Sequence, residues 1–172
     1  PSIDYLERAY DEAKYGDFSS RPYMDIIMPS MIDAGMAPPG KHVMSIFVQY
    51  APSDLRGGWD ESKREAFGDA VIDTLAQYAP NLPDAILHRQ VLTPWDIDQD
   101  MGLTNGNIFH GELSLQQLFC MRPTVGYADY TTPLRGYYQA GSGTHPGGGV
   151  TGASGRLAAL KILGDESRRA GV

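Results

Sequence analysis

Apolar residues recur along this chain at spacings of three and four, the period of a helix that packs on one side. This pattern predicts a first helix that begins after Ser2 and ends before Gly16. It also predicts a longer helix over residues 59–79, which Asp60 caps and Pro80 ends. The apolar stripe of the longer helix comprises Phe67, Ala70, Val71, Leu75 and Tyr78. Both helices are therefore expected to bury one face.

Runs of apolar and β-branched residues predict strands between the helices. The predicted strands cover residues 24–31, 42–50, 85–92 and 136–140. Residues 42–50 carry apolar side chains on both faces, so we expect this strand to be well buried and paired with residues 24–31. Shorter helices are predicted from Pro94 and over residues 113–119, with a turn at residues 104–106. These elements predict an α+β fold, with an antiparallel or mixed sheet and flanking helices.

A glycine-rich stretch over residues 141–155 stands between the last predicted strand and a predicted C-terminal helix over residues 156–163. Seven of its fifteen residues are glycine. The order strand, glycine loop, helix places backbone N–H groups, with no Cβ in the way, at the positive end of a helix. Such an arrangement favours an anion, typically the phosphate of a nucleotide.

Composition argues against two classes of protein, those that bind nucleic acid and those that span a membrane. The net charge of -7 and the dispersed basic residues argue against a nucleic-acid surface, and no apolar run is long enough for a membrane span. The single Cys120 permits no internal disulfide, so we expect a reducing, cytoplasmic environment. Because the first residue is Pro rather than Met, we expect the chain to be cut from a longer protein.

The loop contains Gly147-x-Gly149-x-x-Gly152, which matches the dinucleotide-binding fingerprint. That fingerprint requires a strand directly before it and an acidic residue about 20 positions later, at the end of a second strand. Here the predicted strand ends at Ala140, and the remaining residues favour a helix. The stretch is therefore not the first turn of a Rossmann unit, although seven glycines around Thr144-His145-Pro146 still favour contact with a ligand.

Other partial motifs for phosphate or metal binding lack residues that their chemistry requires. Residues 35–42 follow Walker A spacing, but His42 stands where Ser or Thr would bind Mg²⁺, so a hairpin turn is predicted instead. Alternating Asp residues at 96, 98 and 100 lack the Gly and Glu of a calcium-binding loop. The four histidines lie far apart, so no metal site is predicted. Of these histidines, His145 is a better candidate for ligand contact than His110, because its neighbours belong to the glycine loop.

Residues 137–156, with the element Thr144-His145-Pro146 followed by three glycines, resemble the C-terminal FAD-binding signature of phytoene dehydrogenase-like flavoproteins. This family belongs with the amine-oxidase and carotenoid-desaturase oxidoreductases, and the resemblance extends to the branch of pyridine nucleotide-disulphide oxidoreductase domain proteins. Segments at residues 37–42, 59–60, 78–80, 92–94, 106–111 and 122–123 fit as well. The resemblance covers essentially the whole chain.

The resemblance implies a C-terminal fragment of an FAD enzyme. Residues 1–123 would be a portion of the substrate-binding domain, and residues 124–172 would return to the Rossmann-like FAD domain, whose N-terminal half is missing. Carried over by position, the residues beside the pyrophosphate and ribityl chain would be Gly141, Ser142 and Gly143. Those beside the isoalloxazine edge would be His145, Pro146, Gly147, Gly148, Gly149 and Val150, and Gly152 and Ala153 would open the last helix.

One position departs from the family pattern. Many amine-oxidase relatives carry Glu after the strand's glycine, where this chain has Ser142, so the contact of that side chain with the cofactor is left open. The implied activity is transfer of a hydride from an apolar small-molecule substrate to FAD. Two alternatives stay open: a non-catalytic module that binds a ligand or partner, and one component of a split flavoenzyme. A homo-oligomer or peripheral contact with a membrane is also compatible with the sequence.

Overall fold

The computed structural model describes residues 2–170, which form two compact units, one ending at Asp96 and one beginning at Ile97. The fold is α+β, as predicted, and within the described residues its sheet has two antiparallel strands. The Rossmann-like assignment of the C-terminal part and the domain boundary at residue 123 stay predictions.

The unit that ends at Asp96 begins with the helix predicted after Ser2. Its elements are α1 (Ile3–Lys14), β1 (Tyr23–Ile27), β2 (Ser45–Gln49), α2 (Glu61–Ala76) and α3 (Leu82–Ala85). The Ser2 hydroxyl accepts a hydrogen bond from the Tyr5 N–H at the start of α1. The Asp60 carboxylate accepts one from the Lys63 N–H at 2.9 Å at the start of α2. Both predicted caps are confirmed, since each satisfies an N–H that the helix leaves unpaired.

The apolar stripe of α2 forms the centre of this unit. Phe67, Val71 and Leu75 are buried. The Phe67 ring packs against the rings of Phe18 and Trp59 at centroid distances of 5.2 and 6.0 Å. Tyr78 lies beyond the end of α2 and is 80% exposed, so its assignment to the stripe was wrong.

β1 and β2 pair as predicted, in a register that runs from Tyr23 opposite Gln49 to Ile27 opposite Ser45. β1 is shorter than predicted because a 3-10 turn begins at Pro29. Proline has no backbone N–H and therefore cannot donate a hydrogen bond to a neighbouring strand. The expectation that β2 is well buried was wrong: Phe47 is 47% exposed. A sheet of two strands offers too little cover for both faces.

The strand predicted over residues 85–92 was also wrong. α3 occupies its start, and ion pairs rather than a ladder hold the rest of the segment. The Arg89 guanidinium lies 2.7 Å from the Asp69 carboxylate and pairs with Glu65, both on α2. Val91 packs on Gly68, where a Cβ would lie 2.8 Å from its methyl group, so glycine lets this segment approach the helix closely.

Helix α4 (Pro94–Met101) begins where the Thr-Pro pair predicted a helix. The Asp96 N–H donates to the Thr93 hydroxyl at 3.2 Å, and the Asp96 carboxylate accepts from the Thr93 N–H at 2.8 Å. This reciprocal capping box fixes the first turn. Arg64 donates to the same carboxylate at 2.6 Å, which ties α2 to the start of α4.

The unit that begins at Ile97 consists mostly of turns and ends in α5 (Ala153–Ala170). Its 3-10 segments are Thr104–Gly106, Leu115–Gln117 and Phe119–Met121, so the turn at 104–106 is confirmed and the helix over 113–119 was an overestimate. The strand over residues 136–140 was wrong: among residues 2–170 this segment makes a single bridge, Thr131 to Tyr138. A ladder needs a neighbouring strand, and the described residues supply none here. No described helix is long and apolar enough to cross a membrane.

Candidate functional site

The glycine loop has one packed side and one open side. A Cβ at Gly148 would lie 2.7 Å from the Phe109 ring, and one at Gly147 would lie 3.3 Å from Leu113. Among residues 2–170, and apart from its chain neighbours, no protein atom would lie within 4 Å of a Cβ at Gly141 or at Gly152. The first pair of glycines therefore lets the loop press against its own unit, and the second pair leaves backbone accessible from outside.

Arg122 supports the packed side from beneath. Its side chain is almost completely buried, with the residue 1% exposed. Nε and Nη2 donate to the Ser142 carbonyl at 3.2 and 2.7 Å, and Nη2 also donates to the Phe109 carbonyl. The guanidinium thus joins the turn around Phe109 to the beginning of the glycine loop.

The first turn of the loop is closed by Thr144, which is also buried. Its N–H and its hydroxyl both donate to the Gly141 carbonyl, at 3.0 and 2.8 Å. The Thr144 carbonyl in turn accepts from the Gly147 N–H at 2.7 Å. These local bonds satisfy the buried polar groups of the turn, so residues 141–147 hold a defined path.

Two hydroxyl groups hold the middle of the loop at the His145 carbonyl. Tyr130 donates to it at 3.0 Å, and Ser154, in the first turn of α5, donates at 3.2 Å. Burial raises the pKa of Tyr130, which keeps its hydroxyl protonated as a donor. The His145 ring packs on Phe119 at 5.8 Å. The loop is therefore fastened to the N-terminus of α5 at this carbonyl.

Residues other than glycine adopt left-handed backbone around this loop. Phe119 and Val150 have φ of 50°, His110 has 55° and Tyr130 has 71°. Val150 lies in the loop, and Phe119 and Tyr130 contact His145. Such conformations are strained for residues with a Cβ and concentrate at functional sites. Their gathering here favours the loop as the functional part of this unit.

Helix α5 is tied to the segment before the loop by a charged cluster. Lys161 lies 2.9 Å from Asp129 and 3.3 Å from Asp165, and the Tyr138 hydroxyl donates to Asp165 at 2.9 Å. Hydrogen bonds from Thr131 and then Lys161 lower the pKa of Asp129 to about 2. The hydrogen bond from Tyr138, followed by that from Lys161, lowers the pKa of Asp165. Both carboxylates are thus ionised at neutral pH and hold the helix in place.

The site residues suggested by the family resemblance come together in this loop and the first turn of α5. Gly149 and Gly152 have positive φ, and the Val150 side chain is fully exposed. The first turn of α5 contains no acidic residue, so nothing there opposes an anion. An accessible glycine backbone next to an unneutralised helix N-terminus fits the phosphate groups of a dinucleotide. Assignment of these residues to a cofactor stays a prediction.

Sequence reasoning missed the residues that support the loop. They are Phe109, Arg122, Tyr130 and Ser154; the family resemblance covers three of these positions, but it gave no supporting role to any of the four side chains. An Arg followed by Pro suggests an exposed turn, since arginine is seldom fully buried. The Ser142 carbonyl anchors the loop to Arg122, and the contact of the Ser142 side chain with a cofactor stays open. The one sequence signal was the high glycine content of residues 141–155, since glycines allow bulky side chains such as Phe109 to pack closely against the backbone.

Comparison with known proteins gives a consistent set of relatives, although no protein-family model matches the chain. It is 46% identical over 162 residues to pyridine nucleotide-disulfide oxidoreductase domain-containing protein 2 of Rattus norvegicus, across 93% of this chain and 28% of that protein. It is 32% identical to a limonene dehydrogenase subunit of Castellaniella defragrans, across 78% of this chain and 25% of that protein. It is 31% identical to a lycopene-forming phytoene desaturase of Paracoccus, across 74% of this chain and 25% of that protein. The chain thus spans only about a quarter of the length of these relatives.

Proposed function

The chain belongs to the family of phytoene dehydrogenase-like oxidoreductases, and on this premise we propose that it forms part of an FAD-dependent oxidoreductase that acts on an apolar small molecule. FAD, when bound, would supply the hydride acceptor. The rest of the cofactor site would come from a Rossmann half outside this chain. The proposal agrees with relatives whose names specify dehydrogenases and desaturases.

In this proposal the residues of the chain bind and orient the cofactor. Gly141, Ser142 and Gly143 would lie beside the diphosphate and ribityl groups, where the two glycines leave backbone N–H donors unobstructed. Residues 145–150 would lie beside the ring system, with Gly152 and Ala153 at the start of α5. Phe119 and Val150, both exposed, would offer apolar surface to the substrate and limit access of water.

The open side of the glycine loop is the observation that supports the proposal most. In the described part of the chain, no atom outside the neighbouring residues lies within 4 Å of a Cβ position at Gly141, and the φ of Gly141 is outside the left-handed region. An alanine at this position should therefore leave the fold unchanged. If a ligand occupies the space beside Gly141, the same methyl group would collide with it.

The test uses the longer protein that this chain is proposed to belong to. Purified wild-type protein should show the visible absorption of a flavin, and Gly141→Ala should weaken FAD binding by about tenfold without changing thermal stability, because only the ligand meets the new Cβ. Gly164→Ala on α5 is the matched control, since its Cβ would meet only the Arg168 guanidinium at 3.9 Å. A colourless protein that stays colourless with added FAD would contradict the proposal.

A second candidate is one component of a split flavoenzyme. The limonene dehydrogenase relative favours it, since its name specifies one subunit of a larger enzyme. Co-purification separates the two candidates. A single polypeptide that carries stoichiometric flavin supports the first, and flavin that appears only with a second polypeptide supports the other.

A further inference from the structure

Arg122 is a buried cation that none of the roles above requires. Its guanidinium forms hydrogen bonds with two carbonyl groups, those of Ser142 and Phe109. Among residues 2–170 it makes no ion pair, and Nη1 is buried without a hydrogen-bond partner. Burial of a charge without an opposite charge is costly, so a guanidinium in this state has a strong requirement for a nearby anion.

The hydrogen bonds of Arg122 also orient a backbone donor. The carbonyl of Ser142 and the N–H of Gly143 belong to the same peptide group, which is planar and trans, so they point in opposite directions. Because Arg122 holds the carbonyl, the Gly143 N–H points to the side of the peptide away from the guanidinium. Among the described residues this N–H donates to no backbone carbonyl.

A second source of positive potential lies at the other end of the loop. Helix α5 begins at Ala153 with no acid in its first turn, and Ser154 in that turn fastens the helix to the His145 carbonyl. The partial positive charge of the helix N-terminus and the full charge of Arg122 therefore flank the same short loop. The loop itself, residues 141–155, contains no acidic side chain.

We propose that Arg122 positions the Gly143 N–H for an anionic diphosphate and attracts that anion through its own uncompensated charge. This rests on the proposed function, in which the diphosphate belongs to FAD. Arg122 does not touch the ligand in this proposal, because its side chain is buried beneath the loop. It acts as a positioning residue whose charge adds to that of the α5 N-terminus.

The first test compares two flavins in the longer protein. Arg122→Met removes the charge and the three hydrogen bonds to the Ser142 and Phe109 carbonyls but keeps much of the side-chain volume. We expect it to weaken FAD binding by about tenfold or more and riboflavin binding by less than about twofold, because riboflavin lacks the diphosphate. The salt dependence of FAD binding should also decrease in this variant. Arg122→Lys keeps the charge but cannot hold two carbonyls in the same geometry, so it should be intermediate.

If Arg122→Met loses affinity for FAD and for riboflavin by the same factor, Arg122 is only a structural support of the loop and the proposal is wrong. If wild-type protein binds FAD and Arg122→Met binds it equally well, the proposal is also wrong, although the proposed function survives. If wild-type protein binds neither flavin, the proposed function itself fails.

The second test does not depend on the variant's folding or on flavin. Inorganic pyrophosphate is titrated into the ¹⁵N-labelled wild-type chain, and the amide resonances are followed by NMR. The Gly143 and Ser154 amides should shift together and saturably, with the Gly141→Ala variant as a folded control of weakened affinity. Absence of a shift at Gly143, or shifts spread over exposed lysines and arginines, would overturn the anion site.

Discussion

The two units of this protein differ in how many apolar side chains they bury. Among the described residues, the unit that ends at Asp96 buries six apolar residues, namely Ala9, Pro22, Leu55, Phe67, Val71 and Leu75. The unit that begins at Ile97 buries only Tyr130 and Ala158 of that class. Both units also bury polar side chains, among them Thr93 and Asp96 in the first and Arg122, Thr144 and Ser154 in the second. Apolar packing is not directional, whereas hydrogen bonds to carbonyl groups fix the path of a backbone.

Substitutions in the two units are therefore expected to have different effects: those in the first unit change its stability, and those in the second unit change the position of the glycine loop. Loss of an apolar side chain in the first unit leaves a cavity and lowers the free energy of unfolding. Loss of a polar support in the second unit shifts the glycine loop, because Arg122, Tyr130 and Ser154 hold its carbonyl groups in place. Both tryptophans, Trp59 and Trp95, lie in the first unit, so their fluorescence reports its unfolding separately.

The largest expected effect is that of Phe67→Ala. This ring is 5% exposed and packs against both Phe18 and Trp59, so its removal leaves a cavity within the aromatic cluster of this unit's core. We expect a loss of about 3–5 kcal/mol in the free energy of unfolding, measured by tryptophan fluorescence in urea. Tyr78→Ala, at an 80% exposed position, should change it by less than about 0.5 kcal/mol. Similar losses in both variants would contradict the assigned core.

Asp96→Asn tests whether a buried polar group matters in the first unit as well. Burial alone would raise the pKa of Asp96, but hydrogen bonds from Arg64 and Thr93 outweigh it and lower that pKa. The amide would place an NH₂ group against these donors, so we expect a loss of about 1–3 kcal/mol at neutral pH. Because the folded pKa is lowered, the wild-type advantage should be present at neutral pH and fall away on acidification. An advantage that grows as the pH falls would refute this assignment.

The sequence predicted helices better than strands, for a physical reason. Caps at Ser2 and Asp60 and the stripe on α2 are local signals, and they identify α1 and α2 within a few residues. A strand needs partners distant in the chain, so residues 85–92 and 136–140 resembled strands without finding a ladder. The glycine loop was recognisable from its composition. Its supports were not, because burial of Arg122 depends on which carbonyl groups the fold brings to it.

Gly148→Ala addresses the second unit. The new Cβ would lie 2.7 and 3.0 Å from two carbons of the Phe109 ring, so the ring or the loop must move. We expect a local loss of about 1–2 kcal/mol in hydrogen-exchange protection around the loop, with no change in the tryptophan-monitored midpoint. Gly141→Ala serves as the matched control, since no protein atom lies within 4 Å of its Cβ. Combination of Gly148→Ala with Phe109→Ala should restore protection, and failure to do so would mean that the ring is not the obstacle.

The smallest expected effect concerns Asp129, which pairs with Lys161 on α5. Its pKa is lowered from 3.8 to about 2, chiefly by the Thr131 hydroxyl and then by Lys161, so the carboxylate stabilises the fold above its unfolded pKa. That contribution should disappear as the pH falls from about 4 to about 2. Since Asp129 is half-exposed, solvent screens the pair, and we expect Asp129→Asn to cost only about 0.3–0.5 kcal/mol at neutral pH. Hydrogen exchange of the α5 amides should show this cost at neutral pH and none near pH 2, while tryptophan fluorescence stays unchanged by the substitution. An equal cost at both pH values would mean that the carboxylate's charge is not what holds α5.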